Sequence, residues 1–367
     1  MTGTGPVGVG VIGAGVISTQ YLENLTTFPD LRVLFVADID TDRAKAQADK
    51  FGIPGSGTVD ELLADSEIEI VVNLTIPAAH VEVAARVIAA GKNAWTEKPF
   101  ALDRESGAAL LEQAQKLGLR VASAPDTFLG AGLQTGRRLI EGGAIGTPLS
   151  AIALFQVAGP ESWHPNPDFY YAKGGGPLFD MAPYYLTALV QNLGPVTRVS
   201  AVGSRSSDHR VIGSGPRAGE RIPVDVDTHF GALLQFEGGA SAQCVFSFQS
   251  SVARQGFIEI EGTGGAVVFP DPNMFEGELV LHRAGIEPEA ITATGVTSSR
   301  GTGVVELAQA IRADRPEAAS GELGYHVLDV MVAIADAAAS GTWVDVASTV
   351  VPNAPLPEHW DPRTATL

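Results

Sequence analysis

The sequence is poor in cysteine, in positive charge and in long apolar runs, and each shortage excludes a class of protein. Cys244 is the only cysteine among 367 residues, so neither an internal disulfide nor a thiolate zinc site can form, and no metal site is predicted. Lys and Arg number 24 against 42 Asp and Glu, and the formal charge of −18 repels nucleic acids and anionic membranes. No apolar run is long enough to span a membrane, and the first residues do not resemble a secretion signal. We therefore expect no nucleic-acid or membrane partner and a cytoplasmic location.

The remaining composition is that of an ordinary globular protein. Apolar residues make up 45% of the chain and charged residues 18%, without a long biased tract, so folding throughout is expected. A chain of 367 residues exceeds the size at which one hydrophobic core stops growing. The residue pattern changes near residue 125, which predicts two domains, 1–125 and 126–367.

Short apolar runs alternate with helical segments through the first 125 residues. Strands are predicted over 7–12, 31–37, 68–74, 93–96 and 119–122. Helices are predicted over 19–28, 41–51, 78–90 and 104–117. This alternation predicts an α/β domain, a doubly wound parallel sheet of the Rossmann type.

The second part of the chain has longer runs in which apolar and polar residues alternate. Strands are predicted over 149–158, 197–204, 229–236, 240–248 and 256–261. Helices are predicted over 183–193, 304–313 and 323–340. We therefore expect an α+β domain with a large, mostly antiparallel sheet.

Two glycine patterns overlap at the first strand, and only one has the position of a phosphate-binding turn. Gly8-x-Gly10-x-x-Gly13 matches the dinucleotide pattern literally but lies inside the strand, so it is interpreted as a decoy. Gly13-Ala-Gly15 follows the strand and opens the helix, where glycines let the backbone approach a pyrophosphate. The alternative is an ordinary tight turn. The residues expected to contact the cofactor here are Gly13, Gly15, Val16 and Ile17.

An acidic residue ends the second predicted strand, as in dinucleotide-binding folds. Asp38 stands at about the offset from the glycine turn, roughly 20 residues, at which a carboxylate accepts hydrogen bonds from the adenosine ribose. This favours NAD over NADP, and Asp40 adds repulsion against a 2′-phosphate, whereas Arg43 argues the other way. The alternative is that Asp38, Asp40 or Thr41 only caps the next helix. Ile39 and Arg43 are also expected near the cofactor.

With this fingerprint, three further motifs resemble the glucose-fructose oxidoreductase/inositol dehydrogenase (Gfo/Idh/MocA) family. They are Thr75-Ile76-Pro77-Ala-Ala-His80, Glu97-Lys98-Pro99 and Gly174-Gly-Gly-Pro-Leu-Phe-Asp180-Met-Ala-Pro-Tyr184, with Ile140-Glu-Gly-Gly-Ala-Ile-Gly146 as support. The resemblance spans nearly the whole chain. It implies a nicotinamide-dependent dehydrogenase or reductase of sugars, inositols or related polyols, often a homodimer or homotetramer joined through the second domain's sheet. One departure is that Tyr184 and Thr187 replace the histidine and the second aspartate of the family's last motif, so the proton acceptor stays open.

The candidate catalytic residues follow from the need for a group that removes the hydroxyl proton while the cofactor takes the hydride. Lys98 is the first candidate, because an ammonium stabilises developing negative charge on the substrate oxygen; Pro99 permits a cis peptide bond. Asp180 and Tyr184 are four residues apart, which predicts one helix face, unless Asp180 only caps that helix and Tyr184 only packs. His164 has a suitable pKa but, as a loop histidine, can also be merely solvated.

The remaining site predictions concern contacts with cofactor and substrate. Residues expected to contact the cofactor are Thr75, Ile76, Pro77, His80, Glu97 and Lys98, with helix capping as the alternative for His80. Residues expected to contact substrate are Lys98, Asp126, Thr127, Trp163, His164, Asp180 and Tyr184, with Trp163 placed to stack on a sugar face.

Two other functions compete with an NAD(H)-dependent sugar or polyol dehydrogenase. One is a glycoside-cleaving enzyme that oxidises and re-reduces its substrate with retained NAD. The other is a dinucleotide-sensing protein without catalysis. The missing family histidine favours this alternative, whereas the retained Lys98 and Asp180 argue against it.

Overall fold

The computed structural model describes residues 4–367, which form two compact units. Unit 1 contains the residues through Ala131 together with two later segments, Gly295–Tyr325 and Asn353–Leu367. Unit 2 contains Gly132–Thr294 and His326–Pro352. A division at residue 125 therefore leaves out two C-terminal segments that are compact with the first unit.

Unit 1 is built on a parallel sheet. Its strands are β1 Val7–Ile12, β2 Leu31–Ala37, β3 Gly55–Gly57, β4 Ile70–Asn73, β5 Asn93–Thr96 and β6 Val121–Ser123. Its helices are α1 Val16–Leu25, α2 Thr41–Phe51, α3 Val59–Ala64, α4 His80–Ala89, α5 Arg104–Leu117 and α10 Thr302–Ala313. Within the described residues the strands are ordered β3-β2-β1-β4-β5-β6, which is the Rossmann order and confirms the predicted fold class.

The helix bounds of unit 1 follow from local capping. Asp40 accepts the Arg43 N–H at the start of α2, and Gly52 ends that helix in the left-handed region. Asp103 and Gly118 play the same parts for α5. Because such signals are local, the predicted bounds of these helices agree with the structure. The short pieces β3 and α3 were not predicted, because they bury little apolar surface.

The strand order of unit 1 identifies the edge of the sheet where a ligand is expected to bind. The order reverses between β1 and β4, so the turns that follow these two strands diverge to opposite sides. In open α/β sheets, ligands bind in the crevice formed there, at the carboxyl ends of the strands. We refer below to the turns after β1, β2, β4 and β5 as the carboxyl edge.

Unit 2 is built on a mixed, mostly antiparallel sheet, as predicted. Its longer strands are β7 Pro148–Gln156, β8 Val196–Ser204, β11 His229–Phe236, β12 Ser241–Ser247 and β13 Arg254–Gly262. Four shorter strands, β14 Gly265–Phe269, β15 Leu279–Arg283, β16 Ile286–Ile291 and β17 Val344–Asp345, extend it. Across residues 4–367 the order is β16-β15-β14-β13-β7-β12-β11-β8-β17, and only β12 and β7 pair in parallel. A separate hairpin joins β9 His209–Val211 to β10 Arg221–Pro223.

Helices cover one face of this sheet. They include α6 Ala131–Glu141, α7 Asp168–Tyr171, α8 Gly176–Asp180 and α9 Ala182–Leu193. In β7 the alternate residues Ala151, Ala153 and Phe155 are buried, and α9 packs against this strand. The sequence alternation thus sorts the strand residues into a core face and an outer face.

One helix in the described part of the chain passes a test of length and apolarity for membrane spanning. It is α11, Gly321–Ser340, with a mean hydropathy of 1.3, of which 56% is buried inside the protein. This is weak evidence for a span, because the core helix of a globular protein passes the same test.

Candidate functional site

The turn after β1 has the geometry predicted for a phosphate-binding turn. Gly13 has a φ of +103°, and a Cβ added to it would lie 2.7 Å from the Leu74 carbonyl, so a side chain is excluded twice. A Cβ on Gly15, at the N-cap of α1, would meet nothing within 4 Å. The first turn of α1 is therefore open to an approaching ligand.

The overlapping glycines inside β1 serve packing. A Cβ on Gly8 would overlap the Glu67 carbonyl oxygen, and one on Gly10 would lie 2.9 Å from the Leu62 side chain. Both positions need glycine because neighbouring segments press against the strand. This accords with the interpretation of Gly8-x-Gly10-x-x-Gly13 as a decoy.

Asp38 connects the end of β2 to the glycine turn. Its Oδ2 accepts the Ala14 N–H at 2.7 Å, and its Oδ1 accepts the Asp40 N–H at 2.9 Å. Arg43 lies 3.3 Å from Asp38 and 3.6 Å from Asp40. Asp40, rather than Asp38, accepts the Arg43 N–H that caps α2. The capping alternative therefore applies to Asp40, and the Asp38 carboxylate lies beside the phosphate-binding turn.

Three large apolar side chains are exposed at the carboxyl edge. Val16 is 95% exposed, Ile39 98% and Ile76 68%, following β1, β2 and β4 respectively. Exposed apolar residues gathered at a ligand-binding edge need a ligand to remove them from water. A dinucleotide fits this arrangement: a glycine turn at a helix N-terminus, an adjacent carboxylate, and apolar side chains for its rings.

The segment after β4 is organised by a buried amide and a buried imidazole. Asn73 donates to the His80 carbonyl at 2.9 Å and accepts from the Thr75 hydroxyl at 2.6 Å. The His80 ring lies with Nδ1 2.8 Å from the Pro99 carbonyl and Nε2 3.0 Å from the Thr75 carbonyl. Burial lowers the pKa of His80. Its ring thus connects this segment, which continues through a short 3₁₀ turn at Pro77–Ala79, to the turn after β5, and it caps no helix.

The turn after β5 carries Glu97, Lys98 and Pro99. The Lys98–Pro99 peptide bond is cis. Glu97 accepts the Lys98 N–H at 2.9 Å and the Tyr21 hydroxyl at 2.8 Å, and Tyr21 accepts the Trp95 indole N–H at 3.2 Å. Burial raises the pKa of Tyr21. A chain of buried hydrogen bonds therefore holds the backbone of Lys98, whose own side chain is half-buried.

Asp126 and Thr127, which follow β6, are buried. Asp126 accepts the Gly301 N–H at 2.8 Å and the Gly303 N–H at 3.1 Å, and its second oxygen lies 3.9 Å from Arg300. Burial raises the pKa of Asp126 to about 6. Its carboxylate connects the start of α10 to the parallel sheet, and substrate contact by either residue stays a prediction.

Asp180 and Tyr184 do not share one helix, contrary to the expectation from their spacing. The helix breaks at Met181: α8 ends at Asp180 and α9 begins at Ala182. The Tyr184 N–H donates to Met181 at 3.2 Å, because Pro183 interrupts regular helical pairing. The N-cap residue of α9 is Met181, whereas Asp180 is the last residue of α8. Tyr184 is buried and Asp180 half-buried.

His164 lies in an irregular loop of unit 2 among aromatic rings. Ring centroids of Trp163, Phe169 and Tyr170 lie 5.4 to 5.5 Å from that of His164, all near-perpendicular to it. Trp163 is 63% exposed and Phe169 50%. The His164 Nδ1 accepts the Asn166 N–H at 3.1 Å, so the neutral ring carries its proton on Nε2. We call Trp163, His164, Phe169 and Tyr170 the aromatic platform.

Within residues 4–367, no group of three or more His, Cys, Asp or Glu side chains is arranged to hold a metal ion. Cys244 is buried in β12, which raises the pKa of its thiol to about 12.

Comparison with known proteins gives the family. A model of an oxidoreductase family with an NAD-binding Rossmann fold matches residues 7–124, and a model of the GFO/IDH/MocA C-terminal domain matches residues 133–268. An uncharacterised oxidoreductase of Rhizobium meliloti is 30% identical over 272 residues, which are 72% of this chain and 74% of that protein. The chain belongs to the Gfo/Idh/MocA family.

Other members of the Gfo/Idh/MocA family match a larger share of the chain. The 1,5-anhydro-D-fructose reductase of Ensifer adhaerens is 25% identical over 346 residues, covering 92% of this chain and 98% of that protein. The structure of levoglucosan dehydrogenase in complex with NADH and L-sorbose has the same fold, with a TM-score of 0.81 and 22% identity, covering 94% of this chain and all of that one. The predicted family, the enzyme class of oxidoreductase and NAD as cofactor are confirmed.

Several residues that organise these Gfo/Idh/MocA sites were not predicted. In unit 1 they are Tyr21, Asn73 and Arg300, and in unit 2 they are Glu161 and Arg210. Asn73 was detectable as a polar residue ending a buried strand. The others reach their partners over long sequence separations, for which a single sequence carries no signal.

Proposed function

We propose that this protein is an NAD(H)-dependent dehydrogenase that transfers hydride between nicotinamide and a secondary hydroxyl or carbonyl of a sugar, inositol or related polyol. Family membership supports the cofactor and the reaction class. The names of the relatives, among them a myo-inositol 2-dehydrogenase of Thermotoga maritima and the anhydrofructose reductase, support the substrate class. We also propose a cytoplasmic location, with which the one buried thiol agrees.

The observation that carries this proposal is the carboxyl edge of unit 1. It combines the open N-terminus of α1, the Asp38 carboxylate and the fixed backbone of Lys98. When bound, NAD supplies the hydride acceptor. The α1 N-terminus holds its phosphates, Asp38 accepts hydrogen bonds from its ribose, and the Lys98 ammonium stabilises negative charge on the substrate oxygen.

The proton acceptor is proposed among Lys98, Tyr184 and His164, with Asp180 as a partner. The Asn166 N–H occupies the Nδ1 lone pair of His164, so in this arrangement Nε2 carries the proton of the neutral ring and donates a hydrogen bond to a substrate oxygen. Lys98 and Tyr184 are the other candidates, and each accepts the hydroxyl proton during oxidation only in its deprotonated form.

The outer face of the unit 2 sheet supports a homo-oligomer. Directly paired residues on five neighbouring strands form an apolar row, namely Val202, Gly231, Val245, Leu154 and Phe257. Val202 is exposed, and such rows on open sheets mark association surfaces. We propose a homodimer or homotetramer through this face. Val202→Glu with Leu154→Glu should lower the mass measured by light scattering, and an unchanged mass would contradict this interface.

A substrate screen tests the proposed function. NAD and NADP reduction is followed at 340 nm with a panel of sugars, inositols and glycosides, and NADH oxidation with the matching ketones. Net NADH formation with at least one polyol is the expected result. Glycoside cleavage without net NADH would point instead to the oxidoreductive glycosidase, and tight NAD binding without any turnover would point to a sensing protein.

A further inference from the structure

The aromatic platform of unit 2 is exposed although its rings are large and apolar. Exposed aromatic side chains cost free energy in water, and clusters of them on a surface usually mark binding sites. His164 packs edge to face with its neighbours, at interplanar angles of 74° to Trp163 and 83° to Phe169, while Phe169 and Tyr170 lie 4.1 Å apart at 33°. This packing keeps the rings fixed while Trp163 and Phe169 remain open to solvent.

The loop that carries the platform is held by a buried ion pair. Glu161 lies 3.1 Å from Arg210 and also accepts a hydrogen bond from the Tyr171 hydroxyl; burial, and then this bond, raise the pKa of Tyr171. Arg210 belongs to β9 and donates to the Phe248 carbonyl at 3.1 Å. The β9–β10 hairpin is thereby connected to both ends of the platform loop.

A second set of contacts packs the connection of the β9–β10 hairpin against the platform loop. A Cβ on Gly213 would lie 3.0 Å from the Ser162 carbonyl, and one on Gly215 would lie 2.6 Å from Pro165. Arg217 forms a bidentate ion pair with Asp168, with N···O distances of 2.6 and 3.0 Å. Contacts of this number and closeness are typical of a preorganised binding surface.

The chemistry of the platform selects a neutral ligand with one apolar face. Its two acidic neighbours, Glu161 and Asp168, are each paired with an arginine, so the loop's carboxylates are neutralised. His164 carries a proton on Nε2 and offers a donor among the rings. A pyranose ring has a face of C–H groups that stacks on aromatic rings and hydroxyls at its rim that accept such a donor.

The exposure of the platform also separates it from the residues proposed for the reaction in unit 2. Tyr184 is 6% exposed, whereas Trp163 is ten times as exposed at 63%. Trp163 therefore keeps most of its ring surface outside the buried surroundings of Tyr184. A ligand with a second ring outside the buried part can contact both.

We propose that the aromatic platform is a subsite for a second pyranose ring, so that the substrate is a glycoside or disaccharide rather than a free monosaccharide. This rests on the proposed function, because the first ring is the one that is oxidised. Within the platform, Trp163 and Phe169 supply the stacking surface, and His164 donates to a hydroxyl of the second ring.

The test compares free sugars with disaccharides that carry the same sugar at the non-reducing end. Glucose is compared with cellobiose and maltose, and galactose with lactose, in NAD reduction by the wild type, Trp163→Ala and Trp163→Phe. We expect a higher kcat/KM for a disaccharide than for its free sugar. Trp163→Ala should lower kcat/KM for that disaccharide roughly 10-fold, mainly through KM, and lower kcat/KM for the free sugar by a clearly smaller factor, while Trp163→Phe keeps most of the activity.

Trp343→Ala is the matched control. Trp343 is also an exposed tryptophan of unit 2, 48% exposed and stacked 4.8 Å from the Arg198 guanidinium, and belongs to no proposed site. Replacement of Trp343 should change kcat/KM for neither the disaccharide nor the free sugar. Equal effects of Trp163→Ala on both sugars, or no effect on either, would overturn the proposal, as would a changed oligomeric mass without changed selectivity.

Binding measured without turnover separates this proposal from the proposed function. Saturation-transfer NMR is recorded with cellobiose, maltose and lactose on the wild type and Trp163→Ala. Disaccharide binding that depends on Trp163 in a protein without dehydrogenase activity would retain the subsite and reject the function. Turnover of a free sugar with no disaccharide binding at Trp163 would retain the function and reject the subsite.

Discussion

Unit 1 presents its candidate residues on turns where a carboxylate accepts a backbone N–H, whereas unit 2 presents the aromatic platform on a loop held by ion pairs between side chains. In unit 1, Asp38 accepts the Ala14 N–H of the glycine turn and Glu97 accepts the Lys98 N–H. In unit 2 the platform loop depends on the Glu161–Arg210 ion pair and on the Asp168–Arg217 pair. A bond to a backbone N–H constrains the side chain of only one of its two residues, so such turns suit a cofactor common to a family, while pairs of side chains can change with each substrate.

The first prediction concerns the residue at the centre of the unit 1 site. Lys98→Met should lower kcat about 10²- to 10⁴-fold, because the ammonium that stabilises charge on the substrate oxygen is lost. NADH affinity, measured by fluorescence titration, should change only a few-fold, since the backbone that holds this turn is unaltered. Lys116→Met, on the exposed surface of α5, is the control. Full turnover by Lys98→Met would remove Lys98 from the mechanism.

The second prediction concerns the pH dependence of stability, to which one buried group in each unit contributes with opposite sign. Burial lowers the pKa of His326 in unit 2 to about 4, and burial raises that of Asp126 in unit 1 to about 6. The unfolded histidine binds its proton more tightly than the folded one, so stability is lost as pH falls from 6.5 towards 4. The folded aspartic acid binds its proton more tightly than the unfolded one, so stability is gained as pH falls through 6.

Urea unfolding at pH 7 and pH 5 measures both effects. Between pH 7 and pH 5, the free energy of unfolding should fall by about 2 kcal/mol through His326 and rise by about 1 kcal/mol through Asp126. His326→Gln should therefore reduce the loss, since its ring accepts the Val196 N–H only when neutral, and Asp126→Asn should increase the loss. The assignment fails if His326→Gln has the same pH dependence as the wild type.

The third prediction concerns cofactor choice at the carboxyl edge. Asp38→Asn keeps an oxygen for the Ala14 N–H but removes the negative charge. We expect the affinity for NAD to fall roughly 10-fold and the ratio of NAD affinity to NADP affinity to decrease. Asp42→Asn, in the exposed first turn of α2, is the matched control. Isothermal titration with both dinucleotides measures the change. Unaltered NAD affinity in Asp38→Asn would leave the carboxylate only its contacts within the protein, to Ala14, Asp40 and Arg43.

The same contrast between units explains what the sequence could predict. The bounds of α2 in unit 1 were predictable because apolar periodicity, Asp40 and Gly52 act within a few residues. The first helix was predicted over 19–28 but is Val16–Leu25, where no side-chain hydrogen bond caps the start. Gly13 and Gly15 lie between β1 and α1, whereas Gly8 and Gly10 lie inside β1, and contact of this turn with the cofactor stays a prediction. The break at Met181 was not predicted, since four-residue spacing between Asp180 and Tyr184 fits a continuous helix equally well. The Glu161–Arg210 pair joins residues far apart in sequence, where no local pattern exists.

The smallest predicted effect tests whether unit 2 depends on its side chains as argued. Arg217 is partly exposed and pairs with Asp168 and Glu220, so Arg217→Gln should lower the urea midpoint only slightly. Because exposed ion pairs are screened, 1 M NaCl should reduce the difference between this variant and the wild type in urea midpoint. Arg210→Gln, which leaves Glu161 buried without its partner, should cost more and respond less to salt. Equal costs for the two variants would mean that backbone contacts hold the platform loop, and the contrast with unit 1 would disappear.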